Sequence, residues 1–176
     1  MENFVWRAEV LPLISAHVKT GEPLPADVLQ RLLGTRTFNA ALDTLRQIEL
    51  ASFDFELHAG FDPAAGARVA QTLERVRQRV AVAPAAPFNR MPASFAHIFA
   101  GGYAAGYYSY KWAEVLAADA FEAFEEAGIF DPATAGRFVD SILARGGSLD
   151  AMDAFVRFRG RPPDVRPLLK RTGIAA

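Results

Sequence analysis

The sequence predicts an all-α fold, a multi-helical arrangement of eight or nine helices in a single helical domain over residues 1–176. Three observations predict it. Apolar residues recur three and four positions apart in one segment after another, the period of one helix face. No stretch alternates with period two for long enough to require a sheet. Prolines, glycines and capping residues fall between the periodic segments, where helices start and stop.

Residues 4–18 carry Phe4, Trp6, Val10, Leu11 and Leu13 and read as a first helix, closed by Thr20-Gly21 and the prolines at 23 and 25. So apolar a start packs either on the chain's own domain or against a preceding segment; both readings stay open. A short helix over 26–33 ends at Gly34. Phe38, Leu42, Leu45 and Ile48 place a stripe on a helix over 37–57. Val69, Leu73, Val76 and Val80 do the same over 64–82, and Pro84 and Pro87 stop that helix. The proline-rich segment 83–92 reads as an ordered crossing loop, too apolar to be left in water.

Further on, Trp112, Val115, Leu116, Ala120 and Phe124 mark a long helix ending near Gly128. Asp131-Pro132 is an N-cap followed by proline in the first turn, where the missing N–H costs nothing. The helix over 132–144 runs to Gly146-Gly147. Ser148 is expected to cap the next helix, with Asp150 and Asp153 in its first turns and an end near Phe158. A last helix over 164–171 precedes a loose tail.

The composition narrows the function classes. The chain of 176 residues is 51% hydrophobic and 22% charged with a formal charge of -1, too apolar for disorder and too balanced for a nucleic-acid surface. It has no cysteine, hence no disulfide and no thiolate nucleophile or metal ligand. No apolar run approaches the roughly 20 residues that cross a membrane. A cytoplasmic protein without a membrane or nucleic-acid partner is expected.

All four tyrosines lie between Tyr103 and Tyr110, in a stretch that also holds His97, Gly101 and Gly102. Packing alone would scatter them among the fourteen phenylalanines. The spacing of four and three places Tyr103, Tyr107 and Tyr110 on one face of a helix, with Tyr108 pointing elsewhere. The two glycines permit unusual backbone angles and leave amides open to a ligand. Phenols and an imidazole can donate to an oxyanion or to a peptide carbonyl. The set therefore suits stabilisation of a tetrahedral acyl-transfer intermediate and anchoring of a peptide, but supplies no nucleophile. The same stripe also fits a packed core, with His97 as a satisfied interior or boundary side chain.

Other chemistries find no motif. His17, His58 and His97 lie 41 and 39 positions apart, so no helical histidine pair can hold zinc. Ser109 lacks the context of a nucleophile elbow. Asp119, among alanines, reads as a hydrogen-bonded structural carboxylate. The arginines at 157, 159, 161, 166 and 171, with Lys170, read as solvated surface.

At these residues the chain resembles the C-terminal part of the thimet oligopeptidase family of zinc metallopeptidases, including its oligopeptidase A and peptidyl-dipeptidase branch. The resemblance is carried by Glu2-Asn3-Phe4-Val5-Trp6, by residues 20–25, by Leu45-Arg46-Gln47, by Phe53-Asp54 with Leu57-His58, by 94–121, by Arg145-Gly146-Gly147-Ser148 and by Phe158-Arg159-Gly160-Arg161-Pro162. It implies a mostly helical body with a channel for short peptides. It implies that His97 and Tyr103 stabilise the tetrahedral intermediate, that Tyr110 hydrogen-bonds substrate, that Tyr107 is a wall residue, and that Gly101-Gly102 belong to a loop closing over peptide. The family's His-Glu-x-x-His is absent. The resemblance thus implies zinc in the complete parent enzyme, none held by this chain, and a fragment inactive by itself whose partner is the metal-binding part. Self-association through apolar surface around the N-terminus and residues 84–92 is expected. The alternative is a stand-alone peptide-binding or helical interaction module without catalysis.

Overall fold

The computed structural model describes residues 2–174, and every regular element among them is helical. This bears out the all-α class. The expected tail falls partly on residues 175–176, outside the described residues.

The first segment departs from expectation. A 3₁₀ turn over Glu2–Trp6 and a single α turn, α1 (Leu11–Ile14), replace a continuous helix over 4–18. Pro12 explains the break: it brings no N–H and its ring crowds the carbonyl four residues back. Helix α2 (Ala26–Gly34) follows Pro25 and carries Asp27 in its first turn, where the helix dipole favours a negative charge. A 3₁₀ turn (Thr35–Thr37) leads to Asn39, at φ 58, and then to α3 (Ala40–His58).

The face α3 buries is not the predicted one. Leu42 and Ile48 are exposed, as is Phe38 before the helix, whereas Glu49, Leu50, Phe53, Asp54 and Leu57 are buried. These five recur at one, three, one and three, the spacing of one helix face, and two of them are acidic. A hydrophobicity pattern skips such positions because it reads carboxylates as surface. Here Glu49 accepts from Arg46 at 2.8 Å and Arg77 at 3.0 Å, which offsets its burial.

Helix α4 (Val69–Val80) turns Thr72, Leu73 and Val76 inward, close to the predicted stripe. The residues after it hold their place through polar anchoring: Asn89 accepts from Arg77 and from the N–H of Met91. Phe88 nonetheless stays 82% exposed, so the apolar crossing loop does lie open to water here. Two single turns follow, α5 (Met91–Ser94) and α6 (Ala96–Phe99), then α7 (Ser109–Ala127). Trp112, expected in the α7 core stripe, is exposed, whereas Ala120, Phe121 and Phe124 are buried.

Helix α8 (Pro132–Phe138) is capped as predicted, the Asp131 carboxylate accepting from the Thr134 N–H, and continues as a π-helical stretch over Val139–Leu143. The next cap is Asp150, not Ser148, which closes a 3₁₀ turn over Gly146–Ser148 instead. Asp150 accepts from the Met152 N–H and starts α9 (Ala151–Arg159), which ends at Gly160 with φ 75. Helix α10 (Arg166–Thr172) completes the chain.

The chain divides into two compact units, one of residues 41–113, the other of residues up to 40 and from 114 on. In the first, Leu50, Phe53, Leu57, Leu73, Phe95 and Ile98 form the core. In the second, Phe121, Phe124, Phe155 and Phe158 pack with Val10 and Ile129, and Phe4 meets Phe121 edge-on at 4.8 Å. Part of the apolar N-terminal segment is thus absorbed by its own core, while Leu13, Ile14 and Val18 stay exposed. Asp119 is fully buried and accepts from Arg159, Arg161 and the Asp164 N–H at 2.7–2.9 Å, the structural role expected of it. Arg159, expected as solvated surface, is buried by that pairing.

Candidate functional site

The site lies in the unit of residues 41–113. Single-turn α6 carries His97 and ends abruptly. The N–H of Gly101 donates to the Ala96 carbonyl at 2.8 Å, and the N–H of Tyr103 donates to the His97 carbonyl at 3.0 Å. Such wrapping at a helix end needs glycine. A Cβ on Gly101 would stand 3.0 Å from the backbone of His97, and Gly102 adopts φ 79. The glycines therefore fix Tyr103 relative to His97. Gly101 does not offer its amide to a ligand, because that N–H is already engaged.

The tyrosines do not share a helix face. Residues 104–108 form consecutive turns, and α7 begins only at Ser109. The rings converge all the same. Tyr103 and Tyr110 stack at 5.2 Å, Tyr107 and Tyr110 lie 5.1 Å apart, and the His97 ring stands 5.6–6.1 Å from all three. Tyr108 points away from this group, as expected. Tyr107 packs edge-on against Phe95 at 4.9 Å and donates its hydroxyl proton to Gln47 Oε1 at 3.2 Å.

What places this turn is Asp54 on α3. Its carboxylate is fully buried and accepts the N–H groups of Ala105 and Tyr107, each at 2.9 Å. Nδ1 of His58, one helical turn on, lies 2.8 Å from Oδ1 of Asp54. Ala105 takes φ 56, a conformation costing an alanine about 1–2 kcal/mol, and the Asp54 bond holds it there. Sequence reasoning gave Asp54, His58 and Gln47 no role. The signal available was an acidic residue among apolar neighbours on the helix, with histidine four positions later.

Exposure separates this group from a sealed core. Tyr103 is 37% and Tyr110 40% exposed, and His97 is exposed too, so His97 is not an interior side chain. A hydrogen bond with Tyr103, then partial desolvation, pushes the Tyr110 phenol above its ordinary value. Burial does the same for Tyr107, with Arg46 opposing. Both phenols keep their protons through the neutral range and remain donors. An exposed imidazole beside exposed phenols can donate to a carbonyl oxygen or to an oxyanion; it holds no activated nucleophile.

Among the described residues, no group of three His, Asp or Glu side chains could hold a metal ion, and no helix is long and apolar enough to cross a membrane. An apolar cavity of about 330 Å³ lies in the other unit, lined by Phe4, Leu116, Phe121, Phe124, Phe138 and Phe155 among others, and contains no titratable group.

A model of peptidase family M3 matches residues 1–174. Over 174 residues the chain is 53% identical to oligopeptidase A of Escherichia coli (strain K12), a match covering 99% of this chain and 26% of that protein. It is 48% identical over 180 residues to the organellar oligopeptidase A, chloroplastic/mitochondrial, of Arabidopsis thaliana, covering 100% of this chain and 23% of that one. Dipeptidyl carboxypeptidase of Salmonella typhimurium is 35% identical over 177 residues, covering 98% and 26%. The chain spans about a quarter of the length of the curated relatives it matches.

Proposed function

The chain belongs to peptidase family M3, and from that membership we propose that it supplies the substrate-binding and transition-state-stabilising surface of a zinc-dependent oligopeptidase for short peptides. The side chains described do not fit the metal, since no three candidate ligands come together. Zinc, the water it activates and the general base belong to residues outside this chain. By itself the chain binds peptide and does not cleave it.

Each residue has a part. His97 and Tyr103 donate hydrogen bonds to the carbonyl oxygen of the scissile bond, which gains charge in the transition state and therefore binds these donors more tightly there. Tyr110 hydrogen-bonds the peptide near that bond. Tyr107, fixed by Gln47 and Asp54, forms the wall behind it. Gly101 and Gly102 shape the lip that closes on bound peptide. One observation carries the reading: three phenols and an imidazole converge beside a turn whose backbone is held by a buried carboxylate.

Calorimetry with a short unstructured peptide tests it. Saturable binding weakened in Tyr110→Phe is expected, and absence of binding to the unaltered chain removes the reading. Assembly with a chain bearing a His-Glu-x-x-His segment then separates an enzyme part from a plain binding module, because only the former gains zinc-dependent cleavage.

A further inference from the structure

In the unit of residues up to 40 and from 114 on, a cleft of about 490 Å³ is lined by Arg7, Arg36, Thr37, Glu125, Lys170 and Arg171. Four cations face two carboxylates there, since Glu122 also lines it. The carboxylates are already engaged. Glu122 accepts from Arg159, and Glu125 accepts from Arg7 at 3.0 Å and, at a long 3.4 Å, from Arg171. Arg7 has Glu9 as a second partner.

Two guanidiniums are left with unused donors. Arg36 makes no hydrogen bond or ion pair among the described residues, though it is half-buried. The Arg171 side chain is 9% exposed, and its buried Nη1 has no acceptor among the described residues. Its guanidinium lies 4.5 Å from the Phe121 ring centroid, which fixes its plane. A buried donor without an acceptor is costly, more so when charged. Burial lowers the affinity of both arginines for their protons. For Arg36 the nearby Arg171 lowers it further, with Glu125 opposing; for Arg171, Glu125 opposes the burial and the Arg7 charge adds to it. The fold keeps these cations together with too little counter-charge beside them.

We propose that this cleft binds a phosphate-type oxyanion, free inorganic phosphate or a phosphate monoester, held by the planar forks of Arg36 and Arg171. A phosphate group carries close to two negative charges at neutral pH and three acceptor oxygens, matching the excess of two cations on the wall. A carboxylate, with one charge, leaves a guanidinium uncompensated. The cleft is separate from the tyrosine turn and does not depend on the peptidase reading.

The test is calorimetric titration of the chain with inorganic phosphate and with glycerol phosphate, each at constant ionic strength, beside acetate and chloride. Saturable 1:1 binding of at least one phosphate probe is expected, roughly tenfold weaker in Arg36→Gln, about one charge-assisted hydrogen bond. Should Arg36→Gln fail to fold, Arg36→Lys keeps the charge, loses the fork and is expected to bind more weakly than the unaltered chain. Binding of the ester alone assigns the site to an esterified phosphate. No saturable heat with either probe overturns the proposal, as does an affinity indifferent to the Arg36 change. Acetate binding as tightly as phosphate overturns it too, giving the cleft to a carboxylate.

Discussion

The buried carboxylate of Asp54 accepts the backbone N–H of Tyr107 at 2.9 Å, and its other oxygen accepts that of Ala105. A helix interior thereby holds a turn more than fifty residues away in sequence. The turn carries Tyr107 and leads into α7 with Tyr110, so the placement of Tyr107 depends on one side chain that touches no solvent.

Replacing Asp54 by Asn is expected to lower stability by about 1–3 kcal/mol, the cost of leaving a buried polar group unsatisfied. The amide keeps one oxygen for one N–H and turns its own N–H₂ toward the second. Denaturant unfolding measures the loss. Peptide affinity should fall as well, because Ala105 at φ 56 is free to relax and carry Tyr107 with it. Unchanged stability would remove Asp54 from the positioning role.

Tyr110→Phe and Tyr103→Phe each delete a hydroxyl and keep the ring. Neutral hydrogen bonds contribute about 0.5–1.5 kcal/mol, so each variant should bind a short peptide roughly 2- to 10-fold more weakly. Thermal melts should barely move, since both rings keep their stacking at 5.2 Å. A melt that falls sharply while affinity holds would make these phenols packing residues after all.

The fold class was legible because buried positions on α4 and α7 repeat at the helical period with apolar residues, such as Leu73 and Val76, or Ala120 and Phe124. The grouping of His97 with Tyr103, Tyr107 and Tyr110 was legible for a different reason, as an anomaly of composition. Its geometry was not. The spacing of four and three suggested a helix face, but Gly102 and Ala105 take positive φ, which no α-helix allows, and a long-range bond from Asp54 keeps Ala105 there. The same cause hid the true inner face of α3. Glu49 and Asp54 are buried with Arg77 and the backbone amides of Ala105 and Tyr107 as partners, which arrive from elsewhere in the chain, and the apolar pattern of the helix carries no trace of them.

Phenol ionisation gives a pH prediction. Tyr110 is raised by its hydrogen bond with Tyr103, and Tyr107 by burial. For an acid whose folded value is raised, the stabilising contribution is complete below its unfolded value and lost as pH climbs through the folded one. Stability and peptide binding should therefore not lose these phenols until pH passes above about 10. Spectroscopic titration of phenolate should show two late groups, and in Tyr103→Phe the Tyr110 transition should move back toward its ordinary position.

Gly101→Ala tests the helix end. The added methyl stands 3.0 Å from the His97 Cα and carbonyl oxygen, both backbone and unable to yield cheaply. Overpacking of this kind costs about 1–3 kcal/mol. Because the N–H of Tyr103 bonds the same carbonyl, the substitution should also separate the two proposed donors and reduce peptide affinity. Gly102→Ala has open space around it but must adopt φ 79, so it should cost only the left-handed penalty of about 1–2 kcal/mol. Paired melting curves distinguish the two causes.

Acid sensitivity should centre on Asp119 in the other unit. Burial alone pushes its carboxyl upward, but Arg161, the Asp164 amide and Arg159 outweigh that and hold it below the usual range. A carboxylate with a depressed folded value stabilises the protein above its unfolded value, about 3.9, and loses that contribution as pH falls through the folded one. Stability measured by denaturant unfolding should therefore decline as pH drops below about 4. Asp119→Asn removes the charge at every pH and leaves Arg159, whose side chain is buried, without its innermost partner. Breaking a buried pair in this way costs about 3–5 kcal/mol, so the variant should be far less stable at neutral pH and show a flatter acid limb. A neutral-pH stability equal to that of the unaltered chain would mean that Glu122 and Glu126, which also accept from Arg159, suffice to hold it.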